Sequence, residues 1–284
     1  MKNSRAFPQD LRMPSFLQNF FRHKLAWTGA MVVCGWLLAG ALAPRLVPHD
    51  PLVQVIAQRY HPPSWQYPLG TDQFGRDVLS RLILGARVSL TLGFSVTALA
   101  LLLGATLGAL AGYAGGRLDG VIMRLVELLL AFPVVYLLTG CVALFGTDWR
   151  KLVLVMAATM WMDIARLLRA EVMSLKQRDF IKAAQVLGLS RGRIILRHLL
   201  PNALPPVIAL MALRLADVIL IESSLSFLGL GVQPPEVSWG SIIRDGRDVL
   251  ASAWWIVTFP GLAITLTAIG LHWIGEGLRQ AFTP

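Results

Sequence analysis

Charge is scarce in this 284-residue chain. Only 15% of its residues are Asp, Glu, Lys or Arg, while 55% are hydrophobic; a soluble globular domain carries about 25% charged residues. That deficit argues against an ordinary soluble domain. Cysteine is scarcer still. Cys34 and Cys141 both lie in apolar stretches, so neither a disulfide framework nor a thiolate metal site is expected. The five histidines, His23, His49, His61, His198 and His272, do not cluster and form no i,i+4 pair, so no metal site is expected on this chain. There is no Gly-x-x-x-x-Gly-Lys-Ser/Thr loop, which excludes nucleotide binding of that kind. No catalytic constellation, internal repeat or low-complexity segment stands out, and the chain is not read as an enzyme.

What is present is apolar sequence in long runs. About 20 apolar residues make a helix that crosses a bilayer with its backbone polar groups satisfied internally. Six candidate spans are expected, near Leu25–Val47, Val88–Gly112, Val121–Phe145, Leu152–Leu168, Pro206–Leu230 and Trp254–Leu278. The second decides the class, because it carries no charge at all and a soluble chain of this length could not easily enclose it. The third is interrupted by Arg124, Glu127 and Pro133, and the fourth carries Asp163 and Arg166. The fold class is therefore an all-α integral membrane protein with six transmembrane helices.

The net charge of +10 does not imply nucleic acid, because most basic residues fall in short segments between the apolar runs. That is how a multi-spanning protein marks its cytoplasmic side. The bias places both termini in the cytoplasm, although Arg45, Arg59, Arg76, Arg81 and Arg87 fall on the outer side. Residues 1–24 form a basic cytoplasmic tail, and residues 25–284 form one six-helix domain with an outer loop at 48–87 and a cytoplasmic loop at 169–204. No small-residue cleavage site follows the first span, which is read as an uncleaved anchor.

The cytoplasmic loop is basic and amphipathic. Asp179 is placed to cap a short helix ending near Leu187, Gly188 permits a left-handed turn, and Ser190 is placed to cap a second helix reaching Leu200. Phe180, Ala183, Ala184 and Leu187 share one apolar face at helical spacing. Arg191, Arg193 and Arg197 lie on the second helix, and Pro201, Pro205 and Pro206 mark the start of the next span. Two readings stand on these residues alone: a docking surface for another protein, or a helix lying on the lipid surface.

In the outer loop, Asp72–Arg76 and Asp77–Arg81 are i,i+4 pairs in the favourable acid-first order. Asp72 is placed to cap the helix that carries them, with Phe74, Val78, Leu79, Leu82 and Ile83 on one face. The expected element is an interfacial helix at the outer mouth. It is either a lid or contact for a delivering protein, or a brace between the first two spans. Span five holds Arg214, Asp217 and Glu222. Charges in mid-membrane face a protein interior or a water path, so these residues either line a translocation path or pair internally or with a partner subunit. Asp163 and Arg166 form a further i,i+3 pair.

Ala183-Ala184, Gly188 and Leu200-Pro201 resemble the EAA loop of bacterial ABC importer permeases. Lys182 stands where that loop usually has Glu, and His198 where it usually has Ile. Leu69-Gly70-Thr71-Asp72, Gly75-Arg76-Asp77 and Ser80-Arg81 resemble the marker of the dipeptide, oligopeptide and nickel permease family, and in particular its "C" permease. Phe132-Pro133, Ser226 to Gly231, Pro234-Pro235, Trp239-Gly240 and Pro260-Gly261 fit the same family. The resemblance covers residues from about 25 to 280.

The resemblance implies a type I importer permease of the bacterial inner membrane, working by alternating access. Lys182, Ala183, Ala184, Gly188, Arg191, Arg193, Leu200 and Pro201 would form its ATPase-coupling loop. The implied partners are a second, "B"-type permease, two cytoplasmic ATPase subunits that hydrolyse ATP with magnesium, and an extracytoplasmic substrate-binding protein. No cofactor is expected on this chain. Di- or oligopeptides are the implied cargo, with nickel or a metal chelate as the alternative. The rival from another class is a six-span channel not coupled to ATP. It explains the spans but has no need of the Ala-Ala-x-x-x-Gly loop.

Overall fold

The computed structural model describes residues 23–282; the basic tail inferred for residues 1–24 lies almost wholly outside them. Among the described residues the chain is helical and has no strand, only an isolated bridge between Thr71 and Asp77. The first apolar run forms α1, Lys24–Ala41, opened by the His23 ring, which accepts a hydrogen bond from the Ala26 amide at 3.2 Å. A short turn of helix, α2, Ala43–Leu46, follows.

The charge-free run is the C-terminal two-thirds of a longer helix, α3, Val78–Ala114, with 37 residues. At 1.5 Å per residue it is about 55 Å long, well beyond the roughly 30 Å hydrocarbon layer. Its first turns carry the Asp77 to Arg87 stretch expected to form a separate interfacial helix. That expectation is corrected: the stretch continues straight into the second span. The helix begins ten residues before the charge-based boundary at Val88, because Arg81 is buried against protein and Arg87 is exposed on its surface, and neither charge interrupts a helix whose backbone bonds are internal.

The third expected span is not one straight helix. It is α4, Gly116–Leu130, and α5, Val134–Phe145, bent by 90° across Pro133. Proline lacks the amide that would continue the hydrogen-bond ladder. The fourth is also broken, into α6, Trp149–Met160, and α7, Met162–Lys176. At the break the Trp161 indole donates to the Ala158 carbonyl at 3.0 Å, the acceptor a continuous helix would offer to the Met162 amide. Next come α8, Asp179–Val186, α9, Arg191–Ile194, a π-helical turn at Ile195–Leu199, and α10, Leu200–Phe227. A short helix, α11, Trp239–Gly246, and a final long one, α12, Trp255–Phe282, complete the described chain.

Among the described residues, four stretches are long and apolar enough to cross a membrane unbroken, namely α1, α3, α9 through α10, and α12; the bent α4–α5 pair makes a fifth if it counts as one span. The expected count of six is therefore not reached among the described residues: the fourth expected span, broken at Trp161 into α6 and α7, is not among these four or five.

Close backbone contacts hold the bundle. On α3, Gly104, Gly108 and Gly112 recur every four residues and face α7: a Cβ on Gly108 would lie 2.5 Å from the Ala165 carbonyl oxygen, and one on Gly112 would lie 2.8 Å from that of Arg169. Gly29 on α1 meets Gly270 on α12 in the same way, at 2.3 Å. Small residues at four-residue spacing let membrane helices approach this closely. One apolar core surrounds the fully buried Trp239, which donates from its ring to the Leu82 carbonyl at 3.0 Å and from its amide to Ser89 Oγ at 3.1 Å. A second gathers α3, α7, α8 and the start of α10 at the opposite end of α3.

Candidate functional site

Three polar places interrupt the apolar bundle, and α3 separates two of them. At its far end, α8 is held by Ile181 and Ala184, both buried in the same cluster as Leu168, Val172, Ile194 and Leu199. Expected details change here. Arg178, not Asp179, is the residue before the first turn. The inward face is Ile181 and Ala184; Phe180 is half-buried, whereas Ala183 is exposed and Leu187 is 78% exposed. Ile181 was missed because the face was drawn one position off, though its three-residue spacing to Ala184 was readable.

The end of α8 is closed by a Schellman motif: the Gly188 amide donates to Gln185 O at 3.0 Å and the Leu189 amide to Ala184 O at 3.2 Å. Gly188 adopts φ +72° with nothing within 4 Å of where a Cβ would be, so backbone conformation alone requires glycine there. Ser190 caps α9 as expected, accepting from the Arg193 amide. The second helix does not stop short of the next span. It runs through the π turn into α10, with Leu200 and Pro201 in the first turn and Pro205 and Pro206 inside the helix. The tip therefore presents Lys182, Ala183, Val186, Leu187, Arg191 and Arg193 to the exterior while its base is continuous with a membrane helix. Lys182 makes only a loose pair with Asp179, at 3.6 Å, and both side chains are largely exposed.

Beside this loop, Arg169 on α7 grips Asp119 on α4 with two hydrogen bonds, one of them at 2.6 Å, and Lys176 donates to the Tyr113 carbonyl at 2.6 Å. The turn between α3 and α4 is thereby tied to α7. Sequence reasoning missed both contacts, whose partners lie 50 and 63 residues apart.

At the other end of α3, the family-marker residues form one knot. Asp77 caps α3, accepting from the Ser80 amide at 3.0 Å. Asp72, expected to be that cap, is instead fully buried in the preceding turn and accepts from the Phe74 and Arg76 amides at 2.8 and 3.0 Å. The expected Asp72–Arg76 pair forms at 2.6 Å. Arg81, expected to pair with Asp77, instead bonds Asp72 and reaches Asp245 on α11 at 2.9 Å. Thr71 is packed under Trp255, whose indole donates to its carbonyl at 3.0 Å. A Cβ on Gly70 would strike that ring at 2.6 Å, and one on Gly75 (φ +71°) would overlap the Val55 carbonyl. These contacts make the motif a brace. Asp245 was missed; the sequence signal was a lone acid in the otherwise mostly apolar turn Trp239–Gly246.

The third place is in the membrane. Arg214, near the middle of α10, bonds Asp217 at 3.2 Å and Asp163 on α7 at 2.7 Å. The expected Asp163–Arg166 pair gives way to this inter-helix contact. The three side chains line a cavity of about 520 Å³ beside Phe132, Pro133 and Thr159, with Leu129, Leu137, Met160 and Ile221 in its walls. Glu222 does not join them. It is fully buried two turns on, where Ser226 donates to it at 2.7 Å and in turn lies 3.3 Å from Ser238.

A helical bundle with four or five apolar spans among its described residues defines the class as a multi-pass membrane protein, and the comparisons place it further. Residues 104–284 match the family described as the binding-protein-dependent transport system inner membrane component, and residues 14–63 match the N-terminal transmembrane domain of oligopeptide transport permease C. The chain belongs to this permease family. It is 39% identical over 263 residues to the dipeptide transport system permease protein DppC of Alkalihalophilus pseudofirmus, covering 93% of this chain and 86% of that one. Against the di/tripeptide transport system permease protein DppC of Pseudomonas aeruginosa it is 37% identical, covering 100% and 97%. The oligopeptide transport system permease protein OppC of Haemophilus influenzae is 34% identical, over 94% and 86%. Among solved structures, a chain of the MetNI methionine ABC transporter superposes with a TM-score of 0.54 at 16% identity, covering 72% of this chain and 97% of that one. That likeness speaks to the fold.

Proposed function

We propose that this chain is one of two unlike permease subunits of an ATP-driven importer that carries di- or oligopeptides inward across the bacterial inner membrane, with both termini in the cytoplasm. The peptide cargo is taken from the names of the relatives. The coupling role rests on one observation: the exposed tip of α8 and α9 is joined rigidly to two membrane elements, to α7 through buried Ile181 and Ala184 and to α10 by continuous helix. A push on Ala183, Val186 or Leu187 by a cytoplasmic ATPase therefore reaches the helices that carry Asp163 and Arg214. Alternating access follows if α7 and α10 tilt while the outer brace keeps α3 and α11 together. An extracytoplasmic binding protein delivers cargo on the brace side.

The test is ATP hydrolysis and peptide uptake by the whole complex in proteoliposomes, with Leu187→Asp compared against the native chain. Leu187 is exposed, so the variant is expected to insert normally. Lost ATPase association, or hydrolysis no longer stimulated by loaded binding protein, supports the coupling role. Normal uptake by the variant refutes it, and a native complex that recruits no ATPase favours a channel.

A further inference from the structure

The triad of Arg214, Asp163 and Asp217 is not electrically closed. Two carboxylates face one guanidinium, and among the described residues no other Lys or Arg lines the cavity. Both acids keep substantial exposure, 38% for Asp163 and 41% for Asp217, so they open towards the cavity. Arg214 holds Asp163 at 2.7 Å and Asp217 more loosely at 3.2 Å, which leaves Asp217 as the carboxylate with acceptor capacity to spare. A net negative site part-way through a membrane is costly unless something neutralises it. The Nε–H of Arg214 is also enclosed without an acceptor among the described residues, so the cluster is unsatisfied in both senses.

We propose that this cavity is a transit site for the amino-terminal end of a peptide: Asp217, with Asp163 behind it, receives the ammonium, and the Arg214 guanidinium receives the adjacent carbonyl oxygen. This rests on the peptide-importer reading above. The chemistry selects that end. In a peptide the α-ammonium stands next to the first carbonyl, so a cation and an acceptor arrive together, matching a carboxylate set beside a guanidinium. A peptide carboxylate would meet two carboxylates for one guanidinium. A bare metal cation would find only two carboxylates and no His or Cys in this lining, and no group of three or more such ligands occurs among the described residues. The remaining walls, with Leu129, Leu137, Met160 and Ile221, are apolar apart from Thr159, whose hydroxyl donates to the Val155 and Met156 carbonyls of its own helix, so the first side chains of the peptide would be accepted mainly for bulk. The cavity volume of about 520 Å³ is in the range of small-molecule sites. It sits against the 90° bend between α4 and α5.

The experiment is equilibrium binding of labelled Ala-Ala, its C-terminal amide and its N-acetyl derivative to the purified complex without binding protein. Uptake of Ala-Ala into proteoliposomes with binding protein is measured alongside. The expected result is that Ala-Ala and the amide bind alike and the N-acetyl peptide binds roughly tenfold or more weakly, as befits a lost charge-assisted hydrogen bond. Asp217→Asn should weaken Ala-Ala by a similar factor and leave the N-acetyl peptide unchanged, with Asp217→Glu restoring the preference. Equal binding of the blocked and free peptides, or an Asp217→Asn complex that binds Ala-Ala like the native, overturns the proposal. So does an Asp217→Asn chain that no longer assembles with its permease partner, which would make the carboxylate an interface residue. Uptake without binding at this site overturns the proposal and leaves the importer reading standing. A native complex that takes up no peptide removes that reading, and the proposal falls with it.

Discussion

Arg81, one turn into α3, bonds Asp245 on α11 at 2.9 Å across 164 residues of sequence. The contact closes a ring in which Arg76 and Arg81 each bridge Asp72 and Asp245, so two guanidiniums balance two carboxylates. Arg244 stands 3.7 Å from Asp245 as a third, looser cation, so this ring holds no surplus of carboxylate, unlike the triad around Arg214. It fastens the outer loop, the start of α3 and α11 into one body.

Removing one member of this ring should cost more than a surface ion pair. Asp72 is fully buried and Arg81 is 3% exposed, and stripping a partner from a buried pair costs about 3–5 kcal/mol, because a charge is left uncompensated. Asp72→Ala is expected to lower the thermal midpoint of the purified permease more than Asp245→Ala, since Asp245 is 13% exposed and water can replace part of its role. Arg81→Lys should behave like a loss, because an ammonium cannot bridge two carboxylates as the planar guanidinium does. Thermal unfolding in detergent measures all three, and equal midpoints for the two Asp variants would contradict the ordering.

Gly108→Val should separate α3 from α7. A Cβ there would lie 2.5 Å from the Ala165 carbonyl oxygen and 2.9 Å from its Cα, so backbone rather than a flexible side chain must move. Overpacking of this kind costs about 1–3 kcal/mol or more. The same change at Gly120, which has nothing within 4 Å, should leave the bundle intact. Protease resistance of the two variants in membranes distinguishes them, and similar digestion patterns would argue against the close approach.

The membrane class and the places of the apolar segments were legible in the sequence because an uncharged run such as Val88–Gly112 has only one comfortable solvent. Which charges meet was far less so. Spacing paired Asp77 with Arg81 and Asp163 with Arg166, yet the structure sends Arg81 to Asp245 and Asp163 to Arg214. Helical periodicity sees only neighbours on one helix, whereas these contacts join helices that are brought together by packing. Pro133 announced an interruption but not a 90° bend, and nothing in the residues around Trp161 announced a break. The turns of the loop at 169–204 were read better than its face. Gly188 and Ser190 act locally, so their turn chemistry is visible in sequence, while the inward position of Ile181 depends on where α7 and α10 lie.

Ile181→Ala tests that inward position. Ile181 is fully buried beside Ala184, and truncating a buried Ile costs about 2–5 kcal/mol. The loss should be local, loosening α8 from α7 while the membrane helices stay assembled. Hydrogen exchange should rise over residues 179–187 with little change in the middle of α3. Unchanged protection of α8 would mean that Ala184 alone holds it.

Gly188 separates conformation from contact, because its left-handed backbone faces empty space. Gly188→Ala meets no atom within 4 Å, so its cost is the left-handed strain of an L residue, about 1–2 kcal/mol; coupled ATP hydrolysis should persist with a modestly less stable loop. Gly188→Pro is different in kind. Proline is fixed near φ −65° and has no amide, so it cannot adopt φ +72° and loses the bond to Gln185 O. The Schellman motif then cannot close, α9 leaves α8 in another direction, and Leu187 and Arg191 no longer present one surface. Hydrolysis stimulated by loaded binding protein should fall to background in the proline variant and remain in the alanine one. Matching loss in both would show that the loop tolerates no strain at all; matching activity would show that the turn does not position the coupling surface.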